Sequence, residues 1–266
     1  MSSIFYPYFV VLSSFVGFLC FALSFVFRSH TYMKKELLNR IFTTLQDIYP
    51  AAQTELHYST PFQLLIAVVM SAQATDKQVN KVTTTLFATI QWPSDVLAMG
   101  HEAFEQAIKS IGLYKSKAKN IFRLSQMLVD QDPADVLVYK DPLIRQKVFA
   151  IAQQYGYYIP ADVVRMQTFP GVGEKTAKVV AHVLYDMPVI AVDTHVHRVC
   201  NRLGIVKTKQ PLQTSQQLEK AIPEEYKAIA HHTLILFGRY YCTARKPKCE
   251  GCPFASFCVY YKKIKK

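Results

Sequence analysis

The stretch Phe169-Pro170-Gly171-Val172-Gly173-Glu174-Lys175-Thr176 decides the fold. It joins a short helical segment around Val163 to Met166 to a clear helix running from about Gly173 to Tyr185. Two glycines in a tight turn between helices expose backbone N–H groups, and the positive end of the second helix adds to their pull on a phosphate. A helix-hairpin-helix built this way grips a nucleic-acid backbone without reading bases. Other glycine motifs fit badly: a dinucleotide fingerprint needs a third glycine where Thr176 stands, and a P-loop needs a preceding strand and a different spacing. An ordinary inter-helix turn would look the same in isolation, so the surroundings carry the decision.

Outward from the hairpin, the chain after Met33 reads as a succession of helices, and an all-α fold is expected. Thr60-Pro61 is an N-cap and first-turn pair opening PFQLLIAVVM, and Thr75 with Gln78 spells a capping box for the next helix. Gly112 is expected to end a helix and Ser116 to start another, with Ile121, Leu124 and Leu128 on one face. Only Val189 to Val192 reads as extended, too short and isolated to build a sheet.

Composition narrows the partners. Half of the 266 residues are hydrophobic, enough for a large core without disulfides. The 31 Lys and Arg against 19 Asp and Glu leave a net charge of +12, as expected of a protein that meets a polyanion, either nucleic acid or an anionic membrane surface. Ile4 to Phe27 carries no charge and is long enough to span a bilayer. With Arg28, Lys34 and Lys35 behind it, it reads as a single-pass anchor holding the remainder in the cytoplasm. The rival reading starts translation at Met33, and both remain open on sequence.

Two residues near the hairpin carry candidate chemistry. Lys175 sits in the first turn of the second helix, where its charge opposes the macrodipole; that field and partial burial would keep part of the amine neutral, the form that attacks an electrophilic carbon. A solvated lysine on a phosphate is the plainer alternative. Asp193, in Val-Ile-Ala-Val-Asp-Thr-His, precedes a helix through Val196, Val199, Cys200 and Leu203, and a helix N-cap is its plainer role. A capped carboxylate stays ionised, so the two roles are compatible. His195 and His197 receive no role.

Of six cysteines, Cys20 and Cys200 stand alone, while Cys242, Cys249, Cys252 and Cys258 form a C-x6-C-x2-C-x5-C array. Four thiolates in one loop-sized stretch are a metal signal, fitting either zinc or an iron–sulfur cluster. Arg245, Lys246 and Lys248 fill the first loop, and Lys262, Lys263, Lys265 and Lys266 follow the last cysteine, giving a basic surface beside the metal.

With these residues assembled, the chain from Met33 onward resembles endonuclease III, the helix-hairpin-helix DNA glycosylase and AP lyase family with a 4Fe-4S cluster. The likeness rests on LLIAVVMSAQATD (Leu64 to Asp76), IGLYKSKA (Ile111 to Ala118), PGVGEKTA (Pro170 to Ala177), IAVDTHVHRVCN (Ile190 to Asn201) and the cysteine spacing. The resemblance implies two helical lobes with a DNA cleft between them. Residues 54–187 would form a six-helix barrel with the hairpin, residues 33–53 and 188–266 a cluster domain, and residues 1–32 an apolar extension.

Residue by residue, the resemblance implies Lys175 as nucleophile, Asp193 as catalytic carboxylate, and the four cysteines as cluster ligands. Gln73 would fill the gap left by a flipped nucleotide, with Leu113 in the loop that wedges the opposite strand. Gly171, Val172, Gly173 and Thr176 would meet the DNA backbone, together with Arg245, Lys246 and Lys248. The implied activity is excision of oxidised pyrimidines followed by β-elimination 3' to the abasic site, by a monomer acting on double-stranded DNA in the cytoplasm at the nucleoid. Inner-membrane tethering would run only through residues 1–32. The related adenine-type mismatch glycosylase lacks this lysine and has a catalytic glutamate where this chain reads SAQATD. A non-catalytic hairpin binder is the alternative from another class. Departures from the family pattern are the apolar N-terminus and about twenty residues around Asp132 to Ala150, where Leu143, Val148 and Ile151 could form the apolar face of an added surface helix.

Overall fold

The computed structural model describes residues 35–265. Among them the regular structure is entirely helical: α1 (35–48), α2 (Pro61–Met70), α3 (Asp76–Leu86), α4 (Pro93–Met99), α5 (His101–Ala107), α6 (Tyr114–Val129), a 3-10 turn (Pro133–Val138), α7 (Pro142–Tyr155), α8 (Val163–Met166), α9 (Glu174–Tyr185), α10 (Thr194–Leu203), α11 (Pro211–Ala221), α12 (Glu224–Tyr240) and α13 (Val259–Ile264). No helix among the described residues is long and apolar enough to cross a membrane. The apolar stretch Ile4 to Phe27 and Met33 lie outside the described residues.

Local chemistry explains most helix starts. The Thr60 hydroxyl accepts from Gln63 N–H at 3.1 Å with Pro61 at the first helical position, and α2 is buried nearly all round because it runs through the centre of one core. Thr75 caps α3 by accepting from Gln78 N–H at 3.2 Å, but the reciprocal half of the expected capping box is missing. The Gln78 amide reaches instead to the Ser110 carbonyl at 2.5 Å, tying α3 to the turn after α5. That turn also corrects the expected boundary. α5 ends at Ala107, Gly112 lies in the turn that follows, and α6 begins at Tyr114, which places Ser116 inside its first turn.

Two buried cores organise the chain. One gathers α2 to α6, Met166 of α8 and α9 around Phe62, Leu65, Met70, Ile121 and Val180; the other joins Leu38, Ile41, Phe42 and Leu45 of α1 to α10, α11, α12 and the C-terminal loop. The chain therefore leaves the second core after α1 and returns to it after α9. The return runs through residues 189–192, which are extended without pairing. Val189 and Ala191 pack on the first core while Ile190 and Val192 pack into the second, the two-residue alternation of an extended backbone lodged in a seam. At Gly238, α12 approaches α10 so closely that an added Cβ would meet His195 Cβ at 2.9 Å.

The added segment before the hairpin forms the 3-10 turn and α7. Its expected apolar face is corrected at one position: Leu143 is 70% exposed, and the inward face is Val148 with Ile144, Ile151 and Ala152. These pack with Val136, Tyr158 and Ala161 against Tyr185 at the end of α9. Lys147 completes the brace, donating to the Tyr185 carbonyl at 3.0 Å and pairing with Asp186 at 2.6 Å, a cation where the helix dipole is negative.

Candidate active site and cluster lobe

The hairpin consists of α8, the turn 167–173 and α9. Gly173 is the N-cap of α9 and offers no side chain; the first N–H engaged within the helix is that of Ala177, bonded to the Gly173 carbonyl at 2.9 Å. The amides of Glu174, Lys175 and Thr176 are therefore left uncapped, pointing along the positive end of the dipole. Val172 and the Thr176 side chain are buried, so their share in any backbone contact comes through the main chain.

The two glycines differ in what they permit. Gly171 has φ +80, and a Cβ there would stand 3.0 Å from Asn120 Cβ, whereas Gly173 has no heavy atom within 4 Å of that position. A Gly171→Ala variant should lose about 1–2 kcal/mol of stability and bind undamaged duplex about tenfold more weakly, because strain in the turn displaces the amides. Gly173→Ala should leave the unfolding midpoint nearly unchanged. Equal destabilisation by the two substitutions in denaturant titrations would contradict this steric account.

Lys175 and Asp193 line one pocket between the two cores, with Ser71, Asp76, His231, His232, Arg239 and the connector Gln53 to Leu56. Lys175 comes from the hairpin helix and Asp193 from the far end of the extended seam. Asp193 caps α10, its Oδ1 accepting from Val196 N–H at 2.8 Å. The partial burial expected for Lys175 is corrected: the side chain is exposed at the pocket rim, in no ion pair among the described residues. The buried lysine is the next one along the helix face, Lys178, whose ammonium donates to Ser215 Oγ at 2.7 Å and pairs with Glu174 at 2.8 Å and with Glu219. That node links α9 to α11.

The pocket holds groups that sequence reading did not assign. Arg239 of α12 bridges Glu55 of the connector and Asp76 of α3, the latter at 2.9 Å, and Tyr240 donates to Glu55 at 2.6 Å. Burial pushes the Asp76 carboxyl up, with Asp193 adding to the rise while Lys175 and His195 oppose it. Below them, His182, His231 and His232 pack ring against ring, with centroids 4.8 to 6.2 Å apart. His231 Nδ1 donates to the Ala191 carbonyl at 2.7 Å, fixing the backbone two residues before Asp193. The adjacent pair at 231–232 was visible in the sequence; its meeting with His182 from another helix was not.

Gln73 and Leu113 are brought together at the surface beside the pocket. Both are exposed and both adopt left-handed backbone, with φ 57 and 59. The Gly112 Cβ position lies 3.7 Å from the Gln73 carbonyl. Arg245, Lys246 and Lys248 stand apart from the pocket on an exposed loop of the second core.

That loop is held by arginines from α10. Arg202 donates to the Thr243 carbonyl at 2.7 Å and the Ala244 carbonyl at 2.9 Å, and Arg198 to the Gly238 carbonyl at 2.7 Å and the Cys242 carbonyl at 3.1 Å. Their four-residue spacing in HVHRVCNRL is the signal that could have found them. Cys242, Cys249, Cys252 and Cys258 line one cavity walled by Leu203, Phe237, Tyr241, Tyr260 and Tyr261. Burial raises the Cys249 and Cys252 thiols, and the neighbouring cysteines raise them further, so four thiolates there require a cationic group among them.

Comparison with known proteins agrees with this construction. Residues 66–224 match the HhH-GPD superfamily of base excision DNA repair proteins, and residues 242–258 match the iron-sulfur binding domain of endonuclease III. Endonuclease III of Rickettsia conorii is 42% identical over 88% of this chain and all of its own length; that of Escherichia coli K12 is 40% identical over 87% of this chain and 99% of its own. The solved structure of a trapped endonuclease III–DNA covalent intermediate is 40% identical with a TM-score of 0.74, covering 87% of this chain and 99% of that one. A thermostable thymine-DNA glycosylase at 21% identity and a TM-score of 0.68 shares the fold. The hairpin, the inter-lobe pocket and the four-cysteine cavity thus place this chain in the endonuclease III family, the iron–sulfur DNA glycosylases and AP lyases of base excision repair.

Proposed function

We propose that the chain excises oxidised pyrimidines from double-stranded DNA and cleaves 3' to the resulting abasic site, with Lys175 as nucleophile and Asp193 as its carboxylate partner. The observation that carries this reading is the meeting of these two residues, from separate helices and on either side of a lobe seam, in one pocket beside an uncapped hairpin. The hairpin amides hold the phosphate backbone while the damaged nucleotide swings into the pocket. The Lys175 amine attacks the sugar C1' as the base departs with the glycosidic electron pair; the amine then gives up a proton, the C1'–O4' bond opens with O4' taking a proton, and the resulting Schiff base acidifies the C2' proton, whose loss expels the 3' phosphate. Asp193 stabilises positive charge developing on the sugar and assists proton movement. Gln73 and Leu113 occupy the gap in the duplex, and Arg245, Lys246 and Lys248 meet phosphates further along.

Cys242, Cys249, Cys252 and Cys258 would hold the 4Fe-4S cofactor that the resemblance implies, and when bound it would cross-link the loop that carries Arg245, Lys246 and Lys248. We place the enzyme at the nucleoid in the cytoplasm, acting as a monomer, with any inner-membrane tether confined to residues 1–32. Borohydride reduction in the presence of duplex bearing thymine glycol, or an abasic site, should freeze a covalent protein–DNA adduct. An intact protein that binds such DNA but yields no adduct would reduce the chain to a non-catalytic binder.

A further inference from the structure

Lys117 is an expensive residue to place where it stands. It lies in the first turn of α6, is 5% exposed, and has no carboxylate partner among the described residues. Burial lowers the affinity of its amine for the proton. Its ammonium donates instead to two carbonyls at the end of α2, Met70 at 2.9 Å and Ala72 at 2.6 Å. These are the acceptors a helix C-terminus leaves unsatisfied, and a cation there meets the negative end of the dipole.

The position of those carbonyls gives the contact its meaning. Ala72 immediately precedes Gln73, and the Lys117 N–H donates to the Leu113 carbonyl at 3.1 Å, so one residue touches both loops whose tips are exposed and left-handed. Gln78 adds a second tie between the loops through Ser110. Left-handed backbone at a glutamine and a leucine is disfavoured unless its surroundings impose it. We infer that Lys117 is a positioning residue that presets Gln73 and Leu113 as a rigid two-pronged wedge, so that the entropy of ordering the prongs is met during folding and not while a base pair is being opened. This inference rests on the proposed function for its substrate, although the locking of the loops does not.

The test compares Lys117→Met, which keeps the length and loses the donors, with Lys117→Arg, which keeps charge and donors. Single-turnover excision is measured on a lesion paired within duplex and on the same lesion inside an unpaired bubble, where no pair need be opened. Lys117→Met should slow excision from the paired substrate by about tenfold or more and from the bubble by no more than about twofold, with Lys117→Arg recovering most of the loss. In the free protein, exchange of the hydrogen-bonded amides in the two loops, Ala72, Ala74 and Ile111, should accelerate in Lys117→Met while the α2 core amides stay protected. Equal slowing on both substrates, or unchanged exchange in the two loops, overturns the inference. A native protein inactive on both substrates would remove the proposed function, and the exchange experiment would still decide the role of Lys117.

Discussion

A Lys175→Ala variant is expected to lose the borohydride-trapped adduct completely and to slow base excision by about a thousandfold or more, because no other amine takes over the covalent step. The structure makes this a clean measurement of chemistry. Lys175 is exposed and makes no ion pair among the described residues, so its removal should change the unfolding midpoint by less than about 0.5 kcal/mol. Lys178, the nearest other lysine on that helix face, is engaged by Ser215, Glu174 and Glu219 and is not free to substitute. Asp193→Asn is the companion variant. Asparagine caps a helix as well as aspartate does, so α10 should stay formed while the charge in the pocket disappears. Excision should fall on the order of a hundredfold with DNA affinity retained. Residual trapping in Lys175→Ala at the native level would transfer the nucleophile elsewhere, and an Asp193→Asn variant of native rate would leave that residue as a cap alone.

What could be read before the structure was whatever chemistry is local. The hairpin, the Thr60 and Thr75 caps, the Asp193 cap and the four-cysteine array each depend on residues within a few positions of one another, and each is present as expected in the backbone. The failures share a different property. Gln78 was assigned to its own helix terminus but finds Ser110, thirty-two residues away, since a long polar side chain takes the nearer acceptor in space. Leu143 matched an amphipathic spacing that only the docking of α7 on Tyr185 could orient. Arg239, Glu55 and Asp76 converge from three distant segments, and no periodicity within any one of them announces the meeting. Pocket composition is a long-range property, and so is the exposure of Lys175, for which the sequence reading expects partial burial.

His231 and His232 under the pocket should make the fold acid-sensitive from about pH 6.5 downward. Burial, and then His182, holds His232 down to about 4, and burial with His232 and His182 holds His231 well below its ordinary range. Among the described residues no carboxylate forms an ion pair with the trio to offset this, and Lys175 works in the same direction on His231. Unfolding releases both rings to their usual pKa of about 6.5, so the unfolded chain binds more protons than the folded one between that value and about 4. Their contribution is therefore complete above about pH 6.5 and declines as pH falls through this window. For His232 alone the loss amounts to about 3 kcal/mol, a large fraction of a typical domain's stability. Denaturant midpoints measured from pH 8 to pH 4.5 should fall with a slope approaching about two protons, and His232→Gln should flatten that slope by about one. Activity should decline over the same window, because His231 anchors the Ala191 carbonyl from which the chain runs directly to Asp193. Midpoints that stay level across the window would mean that the rings are protonated or solvated in the folded protein. The trio would then be packing only, without bearing on how the pocket is held.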